Sequence, residues 1–266
     1  MAAASPSDVL TLALIQADLV WADPEANRHR LEQLMEQQPG VDLHVLPETF
    51  TTGFLGDEDA ADDESMGTGP TLEWMRAQAR GREAAICGSY VVVENGRRHN
   101  RFVFVDQTGE CLGHYDKRHL FGPGGEGQRY TPGDQLTLIE WHGWRIDLQV
   151  CYDLRFPVWC RNDRDFDLQL FVANWPSPRT SHWQALLRAR AIENQAFVIG
   201  VNRVGVDGKQ VPYSGCSLAF GPVGETLLEL DDSESVAAVE LDRRALESYR
   251  TKLPFLGDGD SFTRRV

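Results

Sequence analysis

Three side chains of complementary chemistry each follow an apolar run in this chain. Val45-Leu46-Pro47 leads into Glu48, Tyr115-Asp116 into Lys117, and Gln149-Val150 into Cys151. A thiol attacks only as thiolate, and its ordinary pKa is about 8.5, so it needs help at neutral pH. A neighbouring carboxylate can accept its proton, and a neighbouring ammonium can stabilise charge on an attacked carbonyl. The backbone N–H of Tyr152, next to the thiol, is a second candidate for holding that oxyanion. The glutamic acid can then return its proton to departing ammonia and activate water against the thioester. This chemistry requires no metal and no organic cofactor. Taken singly, each residue has an ordinary explanation. A cysteine is commonly a small buried hydrophobe, and a charged residue after a strand is commonly a solvated end.

The three can act together only if strand ends bring them to one place. Arg145 to Val150 alternates apolar and polar residues, and Pro157 stops regular pairing beyond it. Cys151 therefore sits at a strand-to-turn junction, where a side chain can leave the core and face a cleft. In open α/β sheets, ligand sites gather beyond the carboxyl ends of strands.

The rest of the chain supplies such strands. Apolar runs predict strands over Val9–Gln16, Val41–Leu46, Cys111–Asp116, Asp167–Ala173, Ala196–Asn202, Tyr213–Phe220, Thr226–Leu230 and Val236–Leu241. Asn95-Gly96 between Ala84–Val93 and Asn100–Asp106 predicts a β-hairpin, as does His142-Gly143 between Gln135–Glu140 and Trp144–Val150. Helices are expected over Pro24–Gln37, Pro70–Arg80 and Arg243–Lys252. Ser181, with Gln184 three residues on, has the capping-box pattern and predicts a helix to about Asn194. Alternating strands and helices with interspersed hairpins, and no linker or repeat, predict one α/β domain of two sheets covered by helices. Its core spans about residues 9–241, with a C-terminal helix and tail over 242–266.

Composition sets limits on the partners. The chain has 266 residues, 42% of them hydrophobic, enough for a substantial core. Lys plus Arg total 26 and Asp plus Glu 40, a net charge of −14. That argues against nucleic acid and anionic membranes, though not against a small anion met by local cations. No stretch approaches the roughly 20 apolar residues of a membrane span, and Met1–Asp8 lacks a basic leader. Five cysteines with no C-x-x-C pair suit neither a disulfide framework nor a zinc site, and fit the cytoplasm.

Three blocks in order tie the reactive residues together: Leu46-Pro47-Glu48 with Thr52-Gly53-Phe54, Tyr115-Asp116-Lys117-Arg118-His119-Leu120-Phe121, and Cys151-Tyr152-Asp153-Leu154-Arg155-Phe156-Pro157. They resemble the nitrilase, or carbon–nitrogen hydrolase, superfamily from the first strand to Leu241. The cysteine motif running on to Trp159, Ala173-Asn174-Trp175-Pro176 and Arg190-Ala191-Ile192-Glu193-Asn194-Gln195 look most like its omega-amidase branch. The resemblance implies an α-β-β-α sandwich, with Glu48 as general base, Lys117 as oxyanion stabiliser and Cys151 as nucleophile. It also implies a second glutamate after the lysine that orients substrate, and Glu126 is the nearest fit. It further implies a homodimer with the C-terminal tail reaching over the partner. The expected activity is hydrolysis of a small omega-amide of a dicarboxylic 2-oxo acid, such as 2-oxoglutaramate. A nitrilase or N-carbamoyl hydrolase with the same trio, or a binding protein of the same fold, are the alternatives.

Such a substrate carries a free carboxylate. Arg155, four residues after the nucleophile, is a candidate to grip it, or else to pair with Asp153. Phe54, Phe121 and Trp175 are candidates for the pocket wall, and Tyr152 for contact with substrate. His119 and His182 raise a Cys–His dyad as a rival, though a supporting role is expected for both. Gly122-Pro123-Gly124-Gly125-Glu126-Gly127 matches G-x-G-x-x-G, but no helix pattern follows, so an active-site loop is the better reading.

Overall fold

A computed structural model describes residues 7–56, 64–65 and 68–265. Residues 1–6 of the segment read for a leader lie outside them. In chain order the strands are β1 (Val9–Gln16), β2 (Leu43–Val45), β3 (Glu64–Ser65), β4 (Ala85–Glu94), β5 (Arg97–Val105), β6 (Cys111–Asp116), β7 (Leu138–Trp141), β8 (Trp144–Val150), β9 (Leu168–Ala173), β10 (Phe197–Asn202), β11 (Val204–Val206), β12 (Pro212–Ser214), β13 (Leu218–Phe220), β14 (Thr226–Glu229) and β15 (Ser235–Asp242). The helices are α1 (Pro24–Glu36), α2 (Pro70–Arg82), α3 (Thr180–Asn194) and α4 (Arg243–Lys252).

Two sheets result. One has the order β15-β1-β2-β4-β5-β6, with β3 also paired to β4, and the other β14-β13-β10-β9-β8-β7. The centre of each is parallel, β1 with β2 and β2 with β4 in the first, β8 with β9 and β9 with β10 in the second. Hairpin strands flank both centres. The two-residue side-chain period sorts each strand between two cores. Leu10, Leu12 and Leu14 of β1, with Phe102 and Phe104 of β5, enter a core shared with Ile146, Leu148 and Val150 of β8. Ala13, Ile15, Val103 and Val105 face the other way, against Leu31, Leu34 and Met35 of α1 and Leu72 and Met75 of α2. On the second sheet, α3 buries Trp183, Leu187 and Ala191. The layers are therefore helix, sheet, sheet, helix, as the resemblance implies.

The local signals explain most boundaries. Asp23 caps α1 by accepting from Ala26 N, with Pro24 at the first helical position. Asp242 caps α4 in the same way through Arg244 N and Ala245 N. Two expectations fail. The run Tyr213–Phe220 is not one strand: Gly215 and Cys216 both take positive φ, 56° and 58°, and the break sends β12 to β11 and β13 to β10. Ser181 does not cap α3. The helix starts at Thr180 with Arg179 at its N-cap and no capping side chain, while Gln184 reaches across to Glu229.

Candidate active site

Glu48, Lys117 and Cys151 follow β2, β6 and β8, whose carboxyl ends lie along one edge of the sandwich. Lys117 Nζ lies 2.9 Å from Glu48 Oε1, and 3.1 and 2.9 Å from Glu126 Oε1 and Oε2. All three side chains are buried. Burial pushes the ammonium down, but Glu126 and then Glu48 lift it well above its ordinary value. Lys117 is a fixed cation at neutral pH.

Glu126 sits behind the lysine. Its Oε2 also accepts from Phe121 N at 2.6 Å, and Asn100 Nδ2 approaches its Oε1 at 3.4 Å. Burial pushes its pKa above the usual carboxylate range, against the pull of Lys117. Every one of these partners is a donor, so the ionised form is the one this cradle fits. Glu126 does not line the cavity described below; it touches the lysine.

Glu48 is held from two sides. Asn100 Nδ2 donates to Oε1 at 2.8 Å, and Asn174 N donates to Oε2 at 2.7 Å. Asn174 Nδ2 also bonds the Glu48 carbonyl oxygen at 2.8 Å. The sequence reading gave neither asparagine a role in the site, although Asn174 stands in one of the quoted motifs. A polar residue inside the apolar β5 run, and one directly after β9, were the available signals.

Cys151 opens a 3-10 helix, Cys151–Arg155, with φ 43°. A non-glycine residue there marks strain, and it turns the thiol out of the strand. The sulfur lies 4.0 Å from the Asn174 carbonyl oxygen and shares the cavity lining with Glu48 and Lys117. Burial, then the Glu48 charge, holds the thiol well above its ordinary pKa, and Lys117 only partly offsets them. The resting group is a neutral thiol beside a proton acceptor.

Asp153 locks this turn to the lysine segment. Its Oδ2 accepts from Tyr115 OH at 2.8 Å and Val150 N at 3.2 Å, and its Oδ1 from His119 N at 2.9 Å. His119 Nδ1 lies 2.7 Å from Oδ1, and its ring stacks on Phe156 at 3.6 Å. Tyr115 OH in turn accepts from Trp159 Nε1 at 2.9 Å. Asp153 is thus fully engaged and does not pair with Arg155. Neither His119 nor His182 lines the cavity, so no Cys–His dyad is built. Cys160 is buried, its sulfur against the Asp153 carbonyl.

The trio opens into a cavity of about 680 Å³. Phe54, Phe121, Tyr152, Arg155 and Trp175 all line it. Arg155 stacks on Trp175, 4.7 Å to the ring centroid, and its Nη2 lies 3.3 Å from His182 Nδ1. The glycine-rich segment forms two short 3-10 turns, Gly122–Gly124 and Glu126–Gln128, and no nucleotide-binding βαβ unit. A Cβ on Gly124 would meet Phe121 and Phe54 at 2.8 Å, so glycine is what lets this loop close against both rings. Arg179, Asp207, Lys209 and Tyr213 also line the cavity and were not foreseen.

The carbon-nitrogen hydrolase family model matches residues 11–251, almost the whole chain. This chain belongs to the carbon-nitrogen hydrolase family. It is 45% identical to the omega-amidase YafV of Escherichia coli over 254 residues, 95% of this chain and 98% of that one. It is 31% identical to the 2-oxoglutaramate amidase of Bacillus subtilis, over 93% and 96% of the two chains. A solved carbon-nitrogen hydrolase superfamily protein of Xanthomonas campestris, with an arsenic adduct in its active site, superposes with a TM-score of 0.93. That pair shares 46% identity, over 97% of this chain and 99% of the other. Among the described residues of this carbon-nitrogen hydrolase, no helix is long and apolar enough to cross a membrane.

Proposed function

We propose that this carbon-nitrogen hydrolase is an omega-amidase that releases ammonia from a small omega-amide of a dicarboxylic 2-oxo acid. The observation that carries the reading is Lys117, clamped between Glu48 and Glu126 beside the Cys151 thiol, at the floor of a cavity that also presents Arg155. The omega-amidase of Escherichia coli and the 2-oxoglutaramate amidase of Bacillus subtilis, both similar along nearly their whole length, support the same substrate class.

The mechanism follows from the contacts. Glu48 takes the Cys151 proton as the sulfur attacks the amide carbon. The carbonyl becomes a tetrahedral oxyanion, held by Lys117 Nζ and by Tyr152 N–H, an early N–H of a 3-10 helix with no acceptor inside it. Protonated Glu48 passes its proton to the amide nitrogen, the C–N bond breaks, and ammonia leaves a thioester on Cys151. Glu48 then takes a proton from water as that water adds to the thioester. The second oxyanion collapses, the C–S bond breaks, and the thiol regains the proton from Glu48. The raised thiol pKa fits this order, because a thiolate beside two carboxylates and one ammonium is unfavourable until a carbonyl accepts the charge.

Arg155 is read as the cation for the substrate carboxylate. For Arg155→Ala, kcat/KM on 2-oxoglutaramate should fall well below its value on an uncharged amide of equal length; equal losses on both would remove the role. For the activity itself, ammonia release is measured from 2-oxoglutaramate, a nitrile and an N-carbamoyl amino acid. Turnover confined to the nitrile or the carbamoyl compound would replace the omega-amidase reading, and silence on all three would leave a binding protein.

A homodimer in the cytoplasm completes the proposal. Exposed Leu253, Phe255 and Phe262 in the C-terminal segment, with Val158 beside Arg264, support an apolar docking face for a second copy. Sedimentation at micromolar concentration showing only monomer would count against it. The five free cysteines support a reducing compartment, and recovery of the protein outside the cytosolic fraction would oppose that.

A further inference from the structure

We infer that Arg179 is a second specificity-determining cation, which clasps the substrate carboxylate together with Arg155. The inference rests on the omega-amidase reading above and adds a residue to it. Arg155 and Arg179 line the same cavity as Cys151. Neither forms an ion pair with an acidic side chain among the described residues, in a chain of net charge −14. Most other buried or half-buried arginines here do pair, as Arg101 does with Asp116 and Arg203 with Asp18.

The local setting of Arg179 argues the same way. It occupies the N-cap of the 15-residue helix α3, whose first turn contains no acidic residue and whose N-cap makes no side-chain bond. A guanidinium at the positive end of a helix opposes the helix dipole, where Ser, Thr, Asp or Asn is the usual choice. A local rule broken without a partner in the fold is characteristic of a binding position. An anion in the cavity is the partner that relieves it.

The surroundings hold Arg179 in place without neutralising it. Its guanidinium lies over the Phe121 ring, 5.7 Å to the centroid, and its carbonyl accepts from Trp175 Nε1 at 2.7 Å. Trp175 is the ring on which Arg155 stacks, so one indole sets both arginines. The other charged groups of the cavity are committed elsewhere. Lys117 is clamped by its two glutamates. Asp207 accepts from Lys209 N, Val211 N and Tyr213 OH, each at 2.9 Å. Lys209 Nζ donates to the Leu55 carbonyl at 2.8 Å. The two stacked guanidiniums remain to meet a planar carboxylate, for which their fork geometry is suited.

The test uses Arg179→Gln and Arg179→Lys in the full-length protein. Steady-state ammonia release is measured with 2-oxoglutaramate and with an uncharged straight-chain amide of the same length. In parallel, 2-oxoglutarate is titrated calorimetrically into each protein. For Arg179→Gln, KM for the charged amide and Kd for 2-oxoglutarate should both rise roughly 10- to 100-fold, the loss expected for one charge-assisted hydrogen-bond pair. Losses on the uncharged amide should be far smaller than those on the charged one, and Arg179→Lys should recover part of the loss. An unchanged Kd, or equal losses on both amides, overturns the assignment. Should the wild type not hydrolyse 2-oxoglutaramate, the omega-amidase reading fails, while the 2-oxoglutarate titration still decides whether Arg179 binds the dicarboxylate.

Discussion

Replacing Glu126 by Gln probes the buried cluster at the member that does not line the cavity. The carboxylate meets four donor contacts: two from Lys117 Nζ, one from Phe121 N and one from Asn100 Nδ2. Glutamine keeps one acceptor oxygen and presents an NH2 to the others, donor against donor. Whichever way the amide turns, two of the four contacts are lost and one buried NH2 is left without an acceptor, together about 3–5 kcal/mol of stability. Lys117 keeps Glu48 as its sole carboxylate partner, so the ammonium turns toward the general base and away from the oxyanion position. Loss of one oriented oxyanion donor lowers kcat by roughly 10²–10³. The Glu126 charge also helps hold the Cys151 thiol above its ordinary pKa, so its removal brings that pKa down. Three readouts follow: urea unfolding, kcat for ammonia release, and the pH profile of iodoacetamide alkylation at Cys151. Lower stability, lower kcat and an alkylation profile moved to lower pH are expected. Wild-type kcat, or a profile moved to higher pH, would refute the role given to Glu126.

Two further outcomes are expected. Asn174→Ala removes the side-chain donor to the Glu48 backbone but keeps the backbone N–H bond to its carboxylate, so kcat should fall roughly 10- to 100-fold; unaltered kcat would show that Asn174 does not position the base. Buried His44 is depressed from 6.5 to about 4 by burial and then by Arg82, so its contribution is present above pH 6.5 and lost as pH falls through about 4. Between pH 7 and 4.5 the wild type should lose roughly 2–3 kcal/mol more unfolding free energy than His44→Gln; parallel losses would rule His44 out as the cause.

Much of this architecture is legible in the sequence because the strands obey their two-residue period and turns such as Asn95-Gly96 mark their ends. What escaped has physical reasons. The break at Gly215-Cys216 depends on tertiary bonds, from Asn202 Nδ2 to the Gly215 carbonyl and from Cys216 N to the Asp231 carbonyl, which no local pattern announces. Ser181 satisfies a capping rule in sequence, yet the chain enters α3 through a 3-10 turn at Ser177–Arg179 that shifts the start. The convergence of Glu48, Lys117 and Cys151 could be suspected from sequence because each stands at or just past the end of a strand. The roles of Asn100 and Asn174 could not, because asparagine has no distinctive chemistry until a buried carboxylate is placed against it. Arg179 reaches the cavity from the 3-10 turn that leads into α3, and Lys209 from the loop between β11 and β12, and only the packed fold defines the course of either.

The central claim is a thioester on Cys151 formed with Glu48 as base. Rapid acid quench of the enzyme turning over 2-oxoglutaramate, followed by intact-mass and peptide analysis, tests it directly. The expected result is an acyl adduct confined to the peptide bearing Cys151, absent from Cys151→Ala and sharply reduced in Glu48→Gln. Undiminished ammonia release by Cys151→Ala, or an adduct on any other residue, would contradict the account.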